Sequence, residues 1–459
     1  MKIIILGAGQ VGRTAAYHLS REEANEVTVV DDDDAVLRDL QDRLDVRTIS
    51  GNAANPAVLE AAGCADANLL IALTNSDEVN MVACHVAWTL FKTPTKIARI
   101  RGAAYAARPE LFSESQGFAV DVWISPEQLV TEYVEQLIQH PGALQVVDFA
   151  DGRVRLVAVL AVQGGLLVGQ PLSNLRTHIP DVEARVAAIY RQGRSIKPEG
   201  STLIEAGDEV FFLAAREDIR VVMRELRKLE APIKRLVIAG AGNIGIRLAQ
   251  ALENRNQVKL IERDPRRARH ASEVLRNTIV LQGDAADEEL LLEENVDGAD
   301  AFIAVTNAEE ANILAAMLAK RLGCGKVMAL INKPSYAELV QSDRIDIAIS
   351  PQTITIGSLL AYVRRGDVAK VHSLRRGAAE AIEAIAHADS ENSRVVGRRV
   401  DAIKLPEGTT IGAIVRGDDV LMAHGDVVIA DGDHVILFLT DRRNVEAVEK
   451  LFQTGVSFL

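Results

Sequence analysis

The chain is written twice, and that repetition limits its folds more than any other feature. Ile3-Ile4-Ile5-Leu6-Gly7-Ala8-Gly9-Gln10-Val11-Gly12 returns as Leu236-Val237-Ile238-Ala239-Gly240-Ala241-Gly242-Asn243-Ile244-Gly245. Further on, Gly51-Asn52-Ala53 returns as Gly283-Asp284-Ala285, Thr74-Asn75 as Thr306-Asn307, and Asn80 as Asn312. Ile124-Ser125-Pro126 matches Ile349-Ser350-Pro351, and Gly207-Asp208-Glu209-Val210 matches Gly432-Asp433-His434-Val435. A unit of about 230 residues is therefore duplicated, with the junction near Ala231-Pro232-Ile233, where proline stops the preceding helix.

Each copy has two parts. In the first part, unbroken apolar runs such as Ile3–Leu6 and Leu69–Leu73 alternate with helical stripes such as Val36, Leu37, Leu40 and Leu44. That pattern predicts a doubly wound parallel α/β sheet of the Rossmann type. A helix over 128–139 follows. In the second part, runs at Leu144–Phe149, Val154–Val162, Val186–Tyr190 and Glu209–Ala214 predict a small α+β module. Its closing helix carries Ile219, Val222, Met223, Leu226 and Leu229, with a counterpart over 443–452. The expected domains are 1–124, a crossover helix 125–142, a module 143–230, a second Rossmann part 233–350, a crossover helix 351–367 and a module 368–455.

Composition excludes several classes. A net charge of −13 gives no phosphate-neutralising attraction for nucleic acid, and 4% aromatic residues leave few stacking platforms. No apolar run approaches the ~20 residues that span a bilayer, and Ile3–Leu6 is too short for a signal peptide. Cys64, Cys84 and Cys324 suit neither a disulfide framework nor a metal site, which points to reduced core thiols in the cytoplasm and to no metal.

Gly7-x-Gly9-x-x-Gly12 follows a strand and opens a helix, which is the context that makes this spacing informative. Gly7 permits the turn, Gly9 leaves room for a pyrophosphate, and Gly12 lets the helix approach the strand. The free N–H groups and dipole of the helix end favour an anion. Asp31, 19 residues after Gly12, can accept ribose hydroxyls and repel a 2′-phosphate, and Asp32, Asp33 and Asp34 strengthen that exclusion. Copy two offers Gly240, Gly242, Gly245 and Glu262; for either copy the alternative is a Rossmann fold kept only as scaffold. Asn52 and Asp284 end the third strands. Thr74, Asn75, Thr306 and Asn307 end the fourth, as ligand contacts or as helix caps. Arg99 and Arg101 stand in an otherwise apolar fifth strand, as a phosphate clamp or an ion pair. In copy two, Ala329 is expected where Arg99 would be.

No catalytic constellation is expected. The nine histidines are scattered, His18 and His85 in helices, His178 and His424 in loops, and none is seen beside an acid. Arg364-Arg365, Arg375-Arg376, Arg398-Arg399 and the segment 263–270 read as solvated surface.

A Rossmann part, a crossover helix and a Val-rich module ending in Gly-Asp-x-Val resemble the regulator-of-K⁺-conductance (RCK) family. The tandem form is similar to the TrkA family, cytosolic subunits of bacterial Trk potassium uptake systems. Beyond the opening Met1 to Gly12, Tyr133 to Val147 and Ser373 to Ala384 carry the likeness. The resemblance implies a non-enzymatic, nucleotide-sensing subunit. It would form a homotetramer, peripheral to the inner face of the cell membrane, and gate a channel-like potassium subunit of the TrkH/TrkG type. NAD or NADH, and in relatives ADP or ATP, would bind Gly7, Ala8, Gly9, Gln10, Val11, Gly12, Asp31, Asn52, Thr74, Asn75 and Arg99. In copy two the corresponding residues are Gly240, Ala241, Gly242, Asn243, Ile244, Glu262, Asp284, Thr306 and Asn307. The rival reading is an NAD-dependent dehydrogenase.

Overall fold

A computed structural model describes residues 1–22, 24–115, 117–228, 230–333, 336, 344–363, 368–375, 378–387 and 393–453. Leu229, Arg364, Arg365, Arg376 and the ends of the expected ranges 351–367 and 368–455 lie outside the described residues. Two compact units divide the chain: 1–129 with 351–359, and 130–350 with 360–459.

In the first unit, strands β1 (Lys2–Leu6), β2 (Glu26–Asp31), β3 (Arg47–Ser50), β4 (Leu69–Ala72), β5 (Thr95–Arg99) and β6 (Val122–Ile124) form a parallel sheet. Its order is β3-β2-β1-β4-β5-β6, the doubly wound order expected of a Rossmann sheet. The apolar runs explain the centre. Ile3, Ile5, Leu6, Leu69, Leu70 and Ile71 are all fully buried because helices cover both faces. The helix Asp34–Arg43 begins where the Asp33 carboxylate accepts the N–H groups of Ala35 and Val36. The helix Asp77–Phe91 is capped by the Ser76 hydroxyl. Thr14 also hydrogen-bonds Gln352, on the first turn of the helix Pro351–Val363.

The second unit repeats the sheet. After the strands β7 (Ala143–Phe149), β8 (Val154–Leu160), β9 (Ala184–Arg191), β10 (Arg194–Ile196) and β11 (Glu209–Ala215) come β12 (Arg235–Ala239), β13 (Gln257–Glu262), β14 (Ile279–Gln282), β15 (Ala301–Ala304), β16 (Lys326–Leu330) and β17 (Ile347–Ile349). The latter six run β14-β13-β12-β15-β16-β17. The helix Pro126–Gln139 starts two residues before the expected position, and its Glu135 faces Arg255 at 3.9 Å.

The small modules are antiparallel. β7 to β11 are ordered β10-β9-β11-β8-β7; β18 (Val368–Leu374), β19 (Ala379–Ile385), β20 (Thr409–Arg416), β21 (Asp419–Met422) and β22 (His434–Leu439) are ordered β18-β19-β22-β20-β21. Both contribute to one apolar core that includes Phe149, Phe211 and Phe438. The strands β10 and β21 were not foreseen in the sequence. β10 pairs with β9 across the two-residue turn Gln192-Gly193, both at positive φ, the geometry that favours tight hairpins.

The repeated Gly-Asp motif has a structural explanation. Asp208, fully buried, accepts from Arg191 Nε at 2.8 Å, Arg191 Nη2 at 2.9 Å and the Glu205 N–H at 2.8 Å. Asp433 does the same with Arg416, at 2.8 Å from both nitrogens, and with the Ala430 N–H at 2.7 Å. Each pair ties the end of one strand to the turn before the next.

Some expectations need correction. His178 closes a short helix, Leu175–His178. Four histidines among the described residues face acids distant in sequence: His178 Nδ1 to Glu225 at 2.7 Å, His434 Nδ1 to Glu383 at 2.6 Å, His424 Nε2 to Glu183 at 3.2 Å, and His387 Nδ1 to Asp431 at 4.0 Å. Long-range pairs of this kind leave no local spacing signal. All of them belong to the small modules. Arg375 is not solvated surface: it pairs with Glu209 at 2.8 Å and lies 3.7 Å from the Tyr190 ring centroid.

Burial, and then the charge of Lys370, push His372 down to about 4, beside the Phe149 ring at 5.1 Å. An unfolded histidine titrates near ~6.5. The folded chain thus refuses a proton that the unfolded chain accepts. The stabilisation from this site is complete above pH ~6.5 and is lost as pH falls toward about 4. We expect a lower urea midpoint at pH 5 than at pH 7.5, and a smaller difference in His372→Phe. An equal difference in that variant would remove His372 as the cause.

Candidate functional site: two crevices at the strand ends

In both parallel sheets the chain reverses its direction of winding at the central pair, β1/β4 and β12/β15. A crevice opens at the carboxyl ends of the strands at such a switch point, the usual ligand position in open α/β sheets. The first crevice is bordered, in sheet order, by Asn52 after β3, Asp31 at the end of β2, the Gly7–Gln10 loop after β1, Thr74 and Asn75 after β4, and Arg99 at the end of β5. The second is bordered by Asp284, Glu262, the Gly240–Asn243 loop, and Thr306 with Asn307. The fold brings these residues together at the carboxyl edge of each sheet.

The glycine loops are fixed by backbone contacts. Gly7 lies at φ +98° and Gly240 at φ +108°, a region that favours glycine. A Cβ on Gly12 would sit 1.9 Å from the Gly7 carbonyl oxygen, and one on Gly245 would sit 1.8 Å from that of Gly240. No side chain fits there. Gly9 and Gly242 differ: a Cβ on either meets nothing within 4 Å, so each faces open space at the start of its helix.

The strand-two acids already hold these loops. Asp31 accepts from the Ala8 N–H through one oxygen and from the Asp33 N–H at 3.0 Å through the other. Glu262 accepts from the Ala241 N–H at 2.7 Å and the Asp264 N–H at 2.8 Å. The longer Glu262 side chain thus reaches the same two donors. Each carboxylate oxygen retains a lone pair for a further donor, such as a ribose hydroxyl.

The fourth-strand threonines have a positioning role. Asn80 accepts from the Thr74 N–H at 3.0 Å and hydroxyl at 2.7 Å, and its amide donates to the Arg99 carbonyl at 2.9 Å. Asn312 makes the same bonds to Thr306 at 2.8 and 2.6 Å and to the Leu330 carbonyl at 3.1 Å. This buried asparagine staples the fourth-strand exit to the fifth strand. Its repetition at a constant offset was the sequence signal for it. Asn75 and Asn307 are exposed beyond the staple. Asn52 and Asp284 each accept a backbone N–H two residues on, at 2.8 and 2.9 Å, a local Asx turn.

Arg99 is paired. Its guanidinium lies 3.6 Å from Glu127, at the start of the helix Pro126–Gln139, and its Nε is buried with no partner among the described residues. Burial lowers its pKa while Glu127 opposes that shift. Asp77 accepts from the Arg101 and Gly102 N–H groups at 2.9 and 2.7 Å; Glu309 takes the Lys333 N–H at 2.8 Å. Neither Asp77 nor Glu127 was singled out in the sequence, because each works through a residue about 25 positions away.

Register corrects one correspondence. Ala72 pairs with Ala98 and Ala304 with Ala329. The counterpart of Arg99 is therefore Leu330, and Ala329 matches Ala98. The repeat offset is 232 through the fourth strand and 231 in the fifth, so neither Ile331, where the earlier offset points, nor the expected Ala329 is the counterpart. Leu330 is buried and offers no donor.

Cys64, Cys84 and Cys324 are free and buried, and burial raises all three thiols. Among the described residues no His, Cys, Asp and Glu group could hold a metal, and no helix is long and apolar enough to cross a membrane.

Comparison with known proteins agrees with this architecture. The TrkA-N domain model matches residues 3–126 and 236–351, and the TrkA-C domain model matches 156–227 and 387–453. The chain is 60% identical over 458 residues to the Trk system potassium uptake protein TrkA of Halomonas elongata, covering 100% of both chains. It is 58% identical over 459 residues to that of Vibrio alginolyticus, again covering 100% of both. Among solved structures, the GsuK RCK domain is similar with a TM-score of 0.62 and 18% identity, over 98% of this chain and 94% of that one. A GsuK channel bound to NAD is similar with a TM-score of 0.61 and 19% identity, over 98% and 78%. These likenesses show the tandem RCK fold, and with the full-length relatives they establish that the chain belongs to the TrkA family of Trk system potassium uptake proteins.

Proposed function

We propose that the chain is the nucleotide-sensing regulatory subunit of a potassium uptake system. It binds NAD or NADH, and ATP or ADP as alternatives, in the two crevices. As a homotetrameric ring peripheral to the inner membrane face, it gates a channel-like membrane partner of the TrkH/TrkG type. The observation that carries this reading is the pair of glycine loops, each with an acid held beside it and an open approach at Gly9 or Gly242. The names of the relatives supply the potassium context, and an NAD-bound protein of the same fold supports the ligand class. A nucleotide changes the ring only through different affinities for its two shapes. The proposed domain limits are 1–124, 125–142, 143–230, 233–350, 351–367 and 368–455.

The reading is not enzymatic. The His–carboxylate pairs described above belong to the small modules, not to the strand ends that border the crevices. Incubation with NADH and a panel of oxo acids, aldehydes and quinones is expected to leave the nicotinamide absorbance unchanged. Turnover that survives repurification would favour a dehydrogenase.

Isothermal titration with NADH, NAD, ATP and ADP tests the binding directly. Asp31→Ala should weaken NADH by about 1–3 kcal/mol, the loss of a charge-assisted acceptor. Unchanged affinity would remove Asp31 from the site.

A further inference from the structure

The two crevices share one scaffold but carry opposite charge at the ribose end. The loop–acid bonds of Asp31 and Glu262 match donor for donor. The next helices also start alike. Asp33 accepts the Ala35 and Val36 N–H groups at 2.9 and 3.3 Å; Asp264 accepts those of Arg266 and Arg267, both at 2.9 Å. These bonds set the correspondence residue by residue. Arg263 stands where copy one has Asp32, Arg266 where it has Ala35, and Arg267 where it has Val36. Residues 31–39 hold five acids and one arginine, a formal charge of −4. Residues 262–270 hold four arginines and two acids, a formal charge of +2. Arg263, Arg266 and Arg267 are exposed, and their side chains make no hydrogen bond or ion pair among the described residues.

We propose that the second crevice takes an adenine nucleotide carrying a 2′-phosphate, the NADP(H) class, while the first excludes it. The proposal rests on the nucleotide reading above. A Rossmann site distinguishes the two ribose forms just after the second strand. An acid there accepts the hydroxyls of a plain ribose, and a nearby arginine accommodates a 2′-phosphate. A guanidinium keeps its charge at any working pH and presents a planar fork to phosphate oxygens. Copy one surrounds Asp31 with three more acids, so a dianionic 2′-phosphate meets net repulsion there, and the nearby Arg13 is already engaged by the Ala8 carbonyl and Asp39. Copy two has two acids there, Glu262 and Asp264, against four in copy one, and adds the exposed Arg263, Arg266 and Arg267 around them.

The test uses the full chain with one crevice blocked at a time. Gly9→Asp leaves crevice two, and Gly242→Asp leaves crevice one; both substitutions enter open space, so the fold is retained. Calorimetric titration with NADPH and NADH should show the Gly9→Asp protein binding NADPH at least as tightly as NADH. The Gly242→Asp protein should prefer NADH at least tenfold. 2′,5′-ADP and 3′,5′-ADP, which differ in where the phosphate sits and not in charge, should bind crevice two with at least a fivefold preference for the 2′ form. Adding Arg263→Ala, Arg266→Ala and Arg267→Ala to Gly9→Asp should cost NADPH tenfold or more and NADH under threefold. A tenfold preference of crevice two for NADH, equal binding of the two ADP isomers, or equal loss of both dinucleotides in the arginine variant would overturn the proposal. Absence of binding in Gly9→Asp alone would also overturn it while leaving the nucleotide reading intact at crevice one. Absence of any nucleotide binding by the unsubstituted chain would overturn that underlying reading as well.

Discussion

Gly9→Asp should leave the chain folded and lower NADH affinity at the first crevice at least a hundredfold, about 2.8 kcal/mol. The backbone at Gly9 is extended, at φ −66° and ψ −172°, which an aspartate adopts without strain. The added side chain enters open space, where a pyrophosphate would otherwise lie against the helix end. A carboxylate there takes the free N–H groups and repels the ligand. Binding left in this variant reports the second crevice. It should be weaker for NADH by one to two decades, because Leu330 replaces Arg99 and a charge-assisted contact is worth roughly 1.5–3 kcal/mol. Titration of NADH into Gly9→Asp and Gly242→Asp separates the sites. Tighter residual binding in Gly9→Asp would show that Arg99 is only an ion-pair partner of Glu127.

Asp208→Ala should destabilise the second unit by about 3–5 kcal/mol. Asp208 is fully buried and takes three donors. Its removal orphans the Glu205 N–H and takes two bonds from Arg191, whose side chain is only 28% exposed and keeps Glu205 and the Leu203 carbonyl as partners. Asp433→Ala breaks the same clamp, but Arg416 is 45% exposed and regains water more readily. Its cost should be smaller. Denaturation of the two variants, followed by circular dichroism, gives the order. A larger loss in Asp433→Ala would contradict the solvation argument.

The parallel sheets were legible because buried central strands are unbroken apolar runs, and the duplication showed each signal twice. The crevice residues were legible for a related reason: a doubly wound sheet brings all its strand ends to one edge. What the sequence hid depends on pairing across distance. His434 and Glu383 are 51 residues apart, and His424 and Glu183 are 241 apart. Arg375 read as a surface residue because nothing local places Tyr190 and Glu209 around it. The short strands β10 and β21 have too few residues for a period, although Gln192-Gly193 is a turn signal that marks the first. The Leu330 register needed the sheet, since one deleted residue between strands cannot be located by a constant offset.

The central claim is that nucleotide occupancy of these crevices sets potassium flux through a membrane partner. The direct measurement is potassium flux into liposomes that hold a Trk-type membrane subunit, with this protein added, with and without NADH. NADH should change the flux, and Gly9→Asp should remove most of that response while the protein still binds the subunit. Flux that is indifferent to NADH, or a response undiminished in a variant with both Gly9→Asp and Gly242→Asp, would contradict the account.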